Sequence, residues 1–596
     1  MIQERLSLLR AEMKKREIDI YVVPTSDFHE SEYVGEYFKA RKFITGFTGS
    51  AGTAVITMEE AGLWTDGRYF VQAQNQLKGS TVTLFRMGEE GVPTVDEYIE
   101  KNLKEGGRLG FDGRVVNGRW GHQLEAIAVK KKGSLHVNED LIDLIWTDRP
   151  ALSKAPAFLL EEKYSGKSTK EKITEIRGKM AEDGANVHIL TCLYDIAWIL
   201  NIRGGDIAHV PVVLSYLVLT ETECIWFLQE EVLDDTIRAY LKENQIQTRP
   251  YDGIYEYASE ISTDAVVLMN CGETNYRICS SLKKEIRVVD KPNPSLLMKS
   301  IKNQTEVDNT RAAHIKDGVA FTKFMYWLKN NIGKIPMTEI SASDYLEARR
   351  REQENFIDLS FGTISAYGAN AAMMHYSATP ETDTELKPEG FLLVDSGGHY
   401  YEGTTDITRT MALGPITDEM RLHFTTVCRS NLNLANAKFL YGCSGLNLDI
   451  LARGPLWSMG IDYKCGTGHG VGYVLNVHEG PNGFRWRVVP ERNDSGVLEE
   501  GMITTDEPGV YLEGKYGIRT ENELVCHKAE KNEYGQFMEF ENITYAPIDL
   551  DAIDPEEMTG RERKLLNAYH KKVYEVLSPY MTEEENEWLK KYTRAI

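Results

Sequence analysis

Five side chains in the last two fifths of this 596-residue chain have the types and settings of metal ligands: Asp395, Asp406, His469, Glu507 and Glu521. They stand in the strings LLVDSGGHYYEGTTDITRT, GTGHGVG, TTDEPGVY and GIRTENELV. Four carboxylates with a single imidazole suit two divalent cations, Mn²⁺ best, with Co²⁺ or Zn²⁺ as alternatives. Without cations the cluster would repel itself and take up protons. Two ions about 3.5–4 Å apart would share a hydroxide nucleophile and stabilise charge developing on a carbonyl oxygen, which is hydrolase chemistry. Taken singly, an Asp or Glu at a strand end is more often a cap, a turn residue or a surface charge. The ensemble carries the reading, because Asp395 and Glu521 adjoin apolar strand residues where an unpaired carboxylate is costly.

Hairpins are the elements that would bring these groups together. FLLV before Asp395 reads as a buried strand, GGHYYEG as a turn, and TTDITRTMAL as the returning strand, so both carboxylates can line one wall. MITTDEPGVYL, a turn at EGKYG and IRTENELV repeat the device for Glu507 and Glu521. His469 lies between the pairs, and its flanking glycines let backbone approach a metal or substrate. His375 in AYGANAAMMHYSA and His478 in LNVHEGP would ordinarily be structural. Beside a hydrolytic metal pair they become candidates for holding a carbonyl and moving a proton to a leaving nitrogen.

The rest of the chain frames this site. Its length predicts several domains. The excess of 90 acidic over 68 basic residues, a net of −22, argues against nucleic-acid binding through the bulk field. The N-terminus, MIQERLSLLRAEMKKREIDIYVVPTSD, reads as an amphipathic helix entering a strand rather than a signal peptide. No apolar run approaches the roughly 18 residues of a membrane span. Eight cysteines without CxxC pairing predict reduced thiols and a cytoplasmic location.

Strand and helix signals alternate over the first ~150 residues, up to a linker around Pro150 and Pro156. A second unit repeats the vocabulary: a helix from Lys167 to Asp183, the strand NVHILTCL, the helix YDIAWILNIRGGD, and a hairpin of VVLSYLVLT and ECIWFLQ. Two related α/β domains follow as an expectation. From about Lys302 a long amphipathic helix begins, and a second runs from about Thr338 to Asn355. Strands then carry the ligand set, and a helical C-terminal stretch is broken at Pro579.

These strings resemble aminopeptidase P, the X-Pro aminopeptidase family of the pita-bread metallopeptidase superfamily, in its large three-domain cytosolic form. The resemblance covers essentially the whole chain. It is carried by TGFTGSAGTAVIT, WTDGRYF, DIAWILNIRGGDIAHVPV, AAHIKDGVA, SFGTISAYGANAAMMHYSA and the ligand strings above. It implies an α/β and α+β architecture: N-terminal α/β domains at 1–154 and 155–302, and a pita-bread catalytic domain with a helical extension at 303–596. It also implies roles for single residues. Asp395 would bind one metal, Asp406 and Glu521 would bridge two, and His469 and Glu507 would complete the other site. Glu507 would also accept the nucleophile's proton, while His375 and His478 would line the substrate site. Arg519 would orient a carboxylate ligand. Arg68 in WTDGRYF would reach a substrate site, within its own chain or across a dimer, with an ordinary salt bridge as the alternative. A homodimer is likewise implied. One departure is Cys465 in KCGTGHG, where animal members carry histidine. It is read as packing, with a changed pocket wall or an oxidisable thiol as alternatives.

The implied reaction removes the first residue from peptides with proline second, through a metal-bridging hydroxide. An X–Pro bond is a tertiary amide without an N–H, and its ring fixes φ. A metal pair anchoring the free α-amine, with a pocket for the ring, suits it better than a cleft that grips backbone N–H groups. The rival readings are prolidase, which cuts X–Pro dipeptides, methionine aminopeptidase, creatinase, and a non-catalytic peptide-binding module. The upstream domains and the intact ligand set favour the aminopeptidase.

Overall fold

The computed structural model describes residues 2–489 and 494–596. The chain folds as two compact units: Met1–Leu159 with Lys167–Ser295, and Leu160–Gly166 with Leu296–Ile596.

The first unit holds two six-stranded sheets. The strands of the first are β1 (Ile20–Pro24), β2 (Thr53–Thr57), β3 (Ala61–Thr65), β4 (Thr83–Arg86), β5 (Arg108–Phe111) and β6 (Ser134–His136), in the order β4-β3-β2-β1-β5-β6. The second has β7 (Val187–Leu190), β8 (Ser215–Thr220), β9 (Cys224–Leu228), β10 (Ile246–Pro250), β11 (Val266–Met269) and β12 (Arg287–Asp290), in the order β10-β9-β8-β7-β11-β12. Pairing senses match strand for strand. β1 and β7 are each antiparallel to the following strand of their sheet and parallel to β5 and β11. The same topology twice is the duplication expected from the repeated strand–helix vocabulary. Central strands buried on both faces read as apolar runs, such as IYVVP and CIWFL, rather than as alternating patterns. Among the helices, α1 (Gly118–Lys130) is capped by the Asn117 side chain, which accepts the Trp120 N–H, and α2 (Tyr276–Ser281) is capped in the same way by Asn275.

The second unit opens with α3 (Gln304–Asn331), a 28-residue helix. Asn303 accepts the Glu306 N–H and Glu306 accepts the Asn303 N–H, both at 3.0 Å, a reciprocal cap. α4 (Glu339–Arg351) packs beside it through Ala342 and Leu346. Three antiparallel strands follow: β13 (Ile364–Tyr367), β14 (Phe391–Ser396) and β15 (Ile407–Ala412), ordered β13-β14-β15. The core lies between Phe321, Phe324, Met325 and Leu328 of α3 and Leu392, Val394 and Met411 of the strands.

After α5 (Asp418–Ala435) comes a sheet of six strands. They are β16 (Lys438–Leu440), β17 (Gly468–Gly470), β18 (Glu479–Phe484), β19 (Ile503–Asp506), β22 (Asn522–Asn532) and β23 (Gly535–Asn542), ordered β16-β23-β22-β19-β17-β18. Between β19 and β22 the chain makes the hairpin β20 (Gly509–Leu512) and β21 (Tyr516–Arg519). The C-terminal helices α6 (Gly560–Leu577) and α7 (Glu583–Tyr592) flank a 3₁₀ turn holding Pro579. Their apolar faces, Leu566, Val573, Leu577, Trp588 and Leu589, are buried, and Glu562 at the start of α6 is buried in an ion pair with Arg429.

Candidate metal centre

Each ligand candidate sits where a strand ends or a ladder is interrupted. Asp395 is the fifth residue of β14, a strand buried along its whole length, and lies opposite Thr408 of β15. Asp406 immediately precedes β15, and Ser396 of β14 pairs with Ile407 of β15, so both carboxylates lie at one end of the pair. Glu507 and Glu521 occupy a gap between two ladders. Asp506 faces Asn522 in one and Gly509 faces Arg519 in the other, which leaves the two glutamates opposite each other where the pairing breaks. The second carboxylate pair therefore comes from a sheet-to-hairpin junction rather than a simple hairpin. His469 is the middle residue of β17, between glycines with no room for a side chain. A Cβ on Gly468 would stand 1.8 Å from the Thr505 carbonyl, and one on Gly470 would stand 2.2 Å from the Glu479 carbonyl.

The five groups converge. Ligand atoms of Asp406, His469 and Glu521 all lie within 4.8 Å of one another. His469 Nε2 is 3.4 Å from Asp406 Oδ2 and 3.5 Å from Glu507 Oε1. Its Nδ1 is 3.0 Å from the Gly470 carbonyl, which can only accept, so the proton sits on Nδ1 and the Nε2 lone pair faces the carboxylates. Arg519 NH2 donates to Asp395 Oδ2 at 2.5 Å.

The cluster is rich in uncompensated charge. Burial, then the charges of Asp395 and Glu507, push the Asp406 carboxyl well above the usual carboxylate range. Burial, then Asp406, Glu507 and Asp395, do the same to Glu521. Arg519 is the cation that opposes both shifts. Asp395 Oδ1 and Asp406 Oδ1 are buried without a hydrogen-bond partner. Orphaned buried carboxylate oxygens beside an imidazole lone pair are the surroundings a divalent cation satisfies. The donor set thus fits the metal pair read from the sequence.

Several supporting groups escaped the sequence reading. Thr408 Oγ1 donates to Glu521 Oε2 at 2.6 Å and accepts from Arg519 Nε at 3.1 Å, linking cation and carboxylate through one hydroxyl. Glu523 Oε1 accepts the Asp406 N–H at 2.7 Å, and His314 Nε2 lies 3.0 Å from Glu523 Oε2. One signal was available: Glu523 stands two residues after Glu521, on the same face of an extended segment. Asp506, beside Glu507, is fully buried and held neutral by burial first and the charge of Glu507 second.

His478 is half-buried, with its ring edge-on to His469 at 4.3 Å between centroids. The next residue, Glu479, pairs with Lys302 in a buried contact, with Lys299 at 3.6 Å. His375 lies exposed on the turn after the 3₁₀ segment Gly368–Ala372. That segment is docked on β21, since a Cβ on Gly517 would stand 1.8 Å from the Ala371 carbonyl. The strand before it pairs with β14, placing Ile364 opposite Asp395. Arg68, in the first unit, forms a fork to Asp66, with Nε and NH2 at 2.8 and 2.7 Å from its two oxygens. Burial first and Glu507 second push the half-buried Cys465 thiol up to about 12, and it packs against an apolar cluster that includes Leu456, Tyr463 and Ile518. That is the setting of an inert packing thiol.

Among the described residues one other triad, Cys192, Asp195 and Glu273 in the first unit, brings ligand-type atoms equally close. There Asn293 Nδ2 donates to Asp195 at 2.8 Å and Glu273 at 3.3 Å, so a neutral donor already stands between the carboxylates.

Comparison with known proteins matches every part of the chain. The Creatinase/Prolidase N-terminal domain matches twice, at residues 5–141 and 148–306. Metallopeptidase family M24 matches at 308–528, and the C-terminal region of peptidase M24 at 536–596. Aminopeptidase P1 of Arabidopsis thaliana is 36% identical over all of this chain and 99% of its own. The solved structure of X-prolyl aminopeptidase from Caenorhabditis elegans, described as a cytosolic enzyme with a di-nuclear active site, is 33% identical. It superposes with a TM-score of 0.94 over 100% of both chains. An Xaa-Pro dipeptidase from Bacillus anthracis, 23% identical, shares the fold over 64% of this chain and 99% of its own, with a TM-score of 0.51.

Proposed function

Because the chain belongs to the aminopeptidase P family, within the M24 metallopeptidases, we propose that it removes the N-terminal residue from peptides whose second residue is proline, using two Mn²⁺ ions. The observation that carries this reading is the convergence of four carboxylates and one imidazole lone pair with two orphaned, buried carboxylate oxygens. Asp395 would hold one ion, Asp406 and Glu521 would bridge, and His469 with Glu507 would hold the other. When bound, the ions supply an activated water and polarise the scissile carbonyl.

The chain's own groups do the rest. The His469 Nδ1 proton, given to the Gly470 carbonyl, keeps Nε2 free to ligate. Arg519 fixes the rotamer of Asp395 through NH2. Glu507, half-buried, accepts the proton of the attacking water. The proline nitrogen has no hydrogen and leaves as a secondary amine, so it must gain one. His478 and His375 are assigned to hold the substrate carbonyl and deliver that proton.

The three domains are assigned as 1–154, 155–302 and 303–596. We assign a cytoplasmic location and a homodimer as further parts of the reading. Trp457 and Trp486 are both exposed and meet edge to face at 6.1 Å, with Ile450 and Leu451 exposed on the same short helix as Trp457. Such an apolar surface suits a second copy. No helix among the described residues is long and apolar enough to cross a membrane.

The test uses full-length protein stripped with chelator, reloaded with Mn²⁺, and offered X-Pro-Y tripeptides and X-Pro dipeptides. Two ions bound per chain and cleavage of the tripeptide are expected. Cleavage of dipeptides alone would make the protein a prolidase, and absence of both metal uptake and activity would make it a binding module.

A further inference from the structure

The loop that carries His375 is fastened to one buried carboxylate outside the metal centre. Glu339, the first residue of α4, is fully buried. Its Oε1 accepts the Tyr367 N–H at 2.7 Å and Asn370 Nδ2 at 2.9 Å. Its Oε2 accepts the Tyr376 O–H at 2.8 Å and the Thr384 N–H at 3.3 Å. Tyr367 ends β13, Asn370 lies in the 3₁₀ segment, Tyr376 directly follows His375, and Thr384 lies beyond it. The four donors therefore bracket His375 from both sides.

Other contacts hold the same frame. The Glu339 N–H donates to the Thr384 carbonyl at 3.1 Å, and the Leu386 N–H to the Met337 carbonyl at 2.8 Å. Asn370 Nδ2 also lies 3.2 Å from Tyr376 Oη and 3.0 Å from Thr384 Oγ1, so the groups around the carboxylate contact one another as well. The Tyr376 ring is buried among Ala366, Ala371 and Leu393. Its N–H donates to the Met373 carbonyl at 3.0 Å, closing the turn on which His375 stands exposed. Four donors on two oxygens match a carboxylate, which only accepts, and the start of a 13-residue helix favours its negative charge. Glutamine in its place would turn an NH₂ group toward donors that need an acceptor.

We propose, on the premise that His375 acts at the substrate, that Glu339 is the positioning residue for that histidine. Its carboxylate ties the end of β13, the 3₁₀ segment and both sides of the His375 turn to the start of α4. Ala342 and Leu346 fix α4 in the core. The other side of the loop rests on the frame of the metal centre. A Cβ on Gly517 of β21 would meet the Ala371 carbonyl, β21 ends at Arg519, and β13 pairs with β14, the strand of Asp395. The backbone of His375 is thus held between α4 and the strands that present the ligand set. That matters for rate, because displacing a reacting group by about 1 Å costs on the order of 10²-fold. Glu339 is itself buried and acts only through the histidine it places.

A double-mutant cycle tests this in full-length, Mn²⁺-loaded protein, with kcat and KM measured on an X-Pro-Y tripeptide for Glu339→Gln, His375→Ala and the two combined. Glu339→Gln should lower kcat by about 10²-fold, with KM near the wild-type value and bound Mn²⁺ unchanged. In the His375→Ala background the same substitution should cost nothing further, because the histidine it places is gone. Losses that multiply in the combined variant would overturn the proposal, as would a wild-type kcat or lost Mn²⁺ in Glu339→Gln. If His375→Ala itself keeps the wild-type kcat, the premise about His375 fails and takes the proposal with it. A wild-type protein inactive on the tripeptide would instead overturn the X-Pro reading. Should Glu339→Gln not melt cooperatively, Tyr376→Phe replaces it in the cycle, since it deletes one donor to the carboxylate and keeps the buried ring. Its smaller loss of kcat should likewise vanish in the His375→Ala background, and a loss that persists there would overturn the proposal.

Discussion

The hydroxyl of Thr408 offers the sharpest test of how this protein holds its metals. It donates to Glu521 Oε2 at 2.6 Å while accepting from Arg519 Nε at 3.1 Å, and it is fully buried. Thr408→Val keeps the side-chain shape and deletes only the hydroxyl. A hydrogen bond to an ionised carboxylate contributes about 1.5–3 kcal/mol, roughly twice its value to a neutral group. Without metal, burial and the neighbouring carboxylates hold Glu521 far above its ordinary range, so its carboxyl is protonated and the Thr408 bond is of the weaker kind. With metal, Glu521 is ionised and the bond is of the stronger kind. The deletion therefore penalises the loaded state more than the empty one. Mn²⁺ affinity should fall about 10- to 100-fold, as for other groups that orient metal ligands, while the metal-free protein, which also loses the acceptor of the Arg519 Nε–H, loses about 1–3 kcal/mol of stability. Calorimetric titration of stripped protein with Mn²⁺ measures the first effect, and thermal unfolding in chelator measures the second. Wild-type affinity in the variant would refute this reasoning. So would a loss of stability in chelator as large as the loss in the presence of Mn²⁺, because Thr408 would then act on the fold alone.

Two further outcomes follow from the same structure. His375→Ala and His478→Ala should each lower kcat on an X-Pro-Y tripeptide by about 10²–10⁴ and keep two Mn²⁺ per chain; loss of bound metal, or an unchanged kcat, would contradict their assigned role. Glu30, in the first unit, is pushed up to about 8 by burial first and by Asp27 second, so the folded state holds a proton that the unfolded state releases near 4.5. The stability this group contributes is fully present below pH 4.5 and is lost as pH rises through about 8. Melting temperatures measured with saturating Mn²⁺ should fall with pH across that window, and less so in Glu30→Gln; parallel curves would show that Glu30 does not titrate as its surroundings dictate.

Much of this protein was legible in its order of residues. Both carboxylate pairs announced themselves because each stands beside an apolar run, where a charge without a partner is costly. The doubled α/β unit was legible because buried parallel strands read as unbroken apolar segments between amphipathic helices. The break in the C-terminal helix at Pro579 followed from proline's missing N–H. What tertiary structure alone decided were the relations between distant residues. Sequence spacing suggested a plain second hairpin, but Glu507 and Glu521 face each other in a gap between two ladders, and register is set by packing across the sheet. Glu523 holding the Asp406 N–H and Thr408 bridging Arg519 to Glu521 join groups more than a hundred positions apart. A sequence shows which groups need a partner once buried; which partner each one meets depends on distances that exist only after the chain has folded.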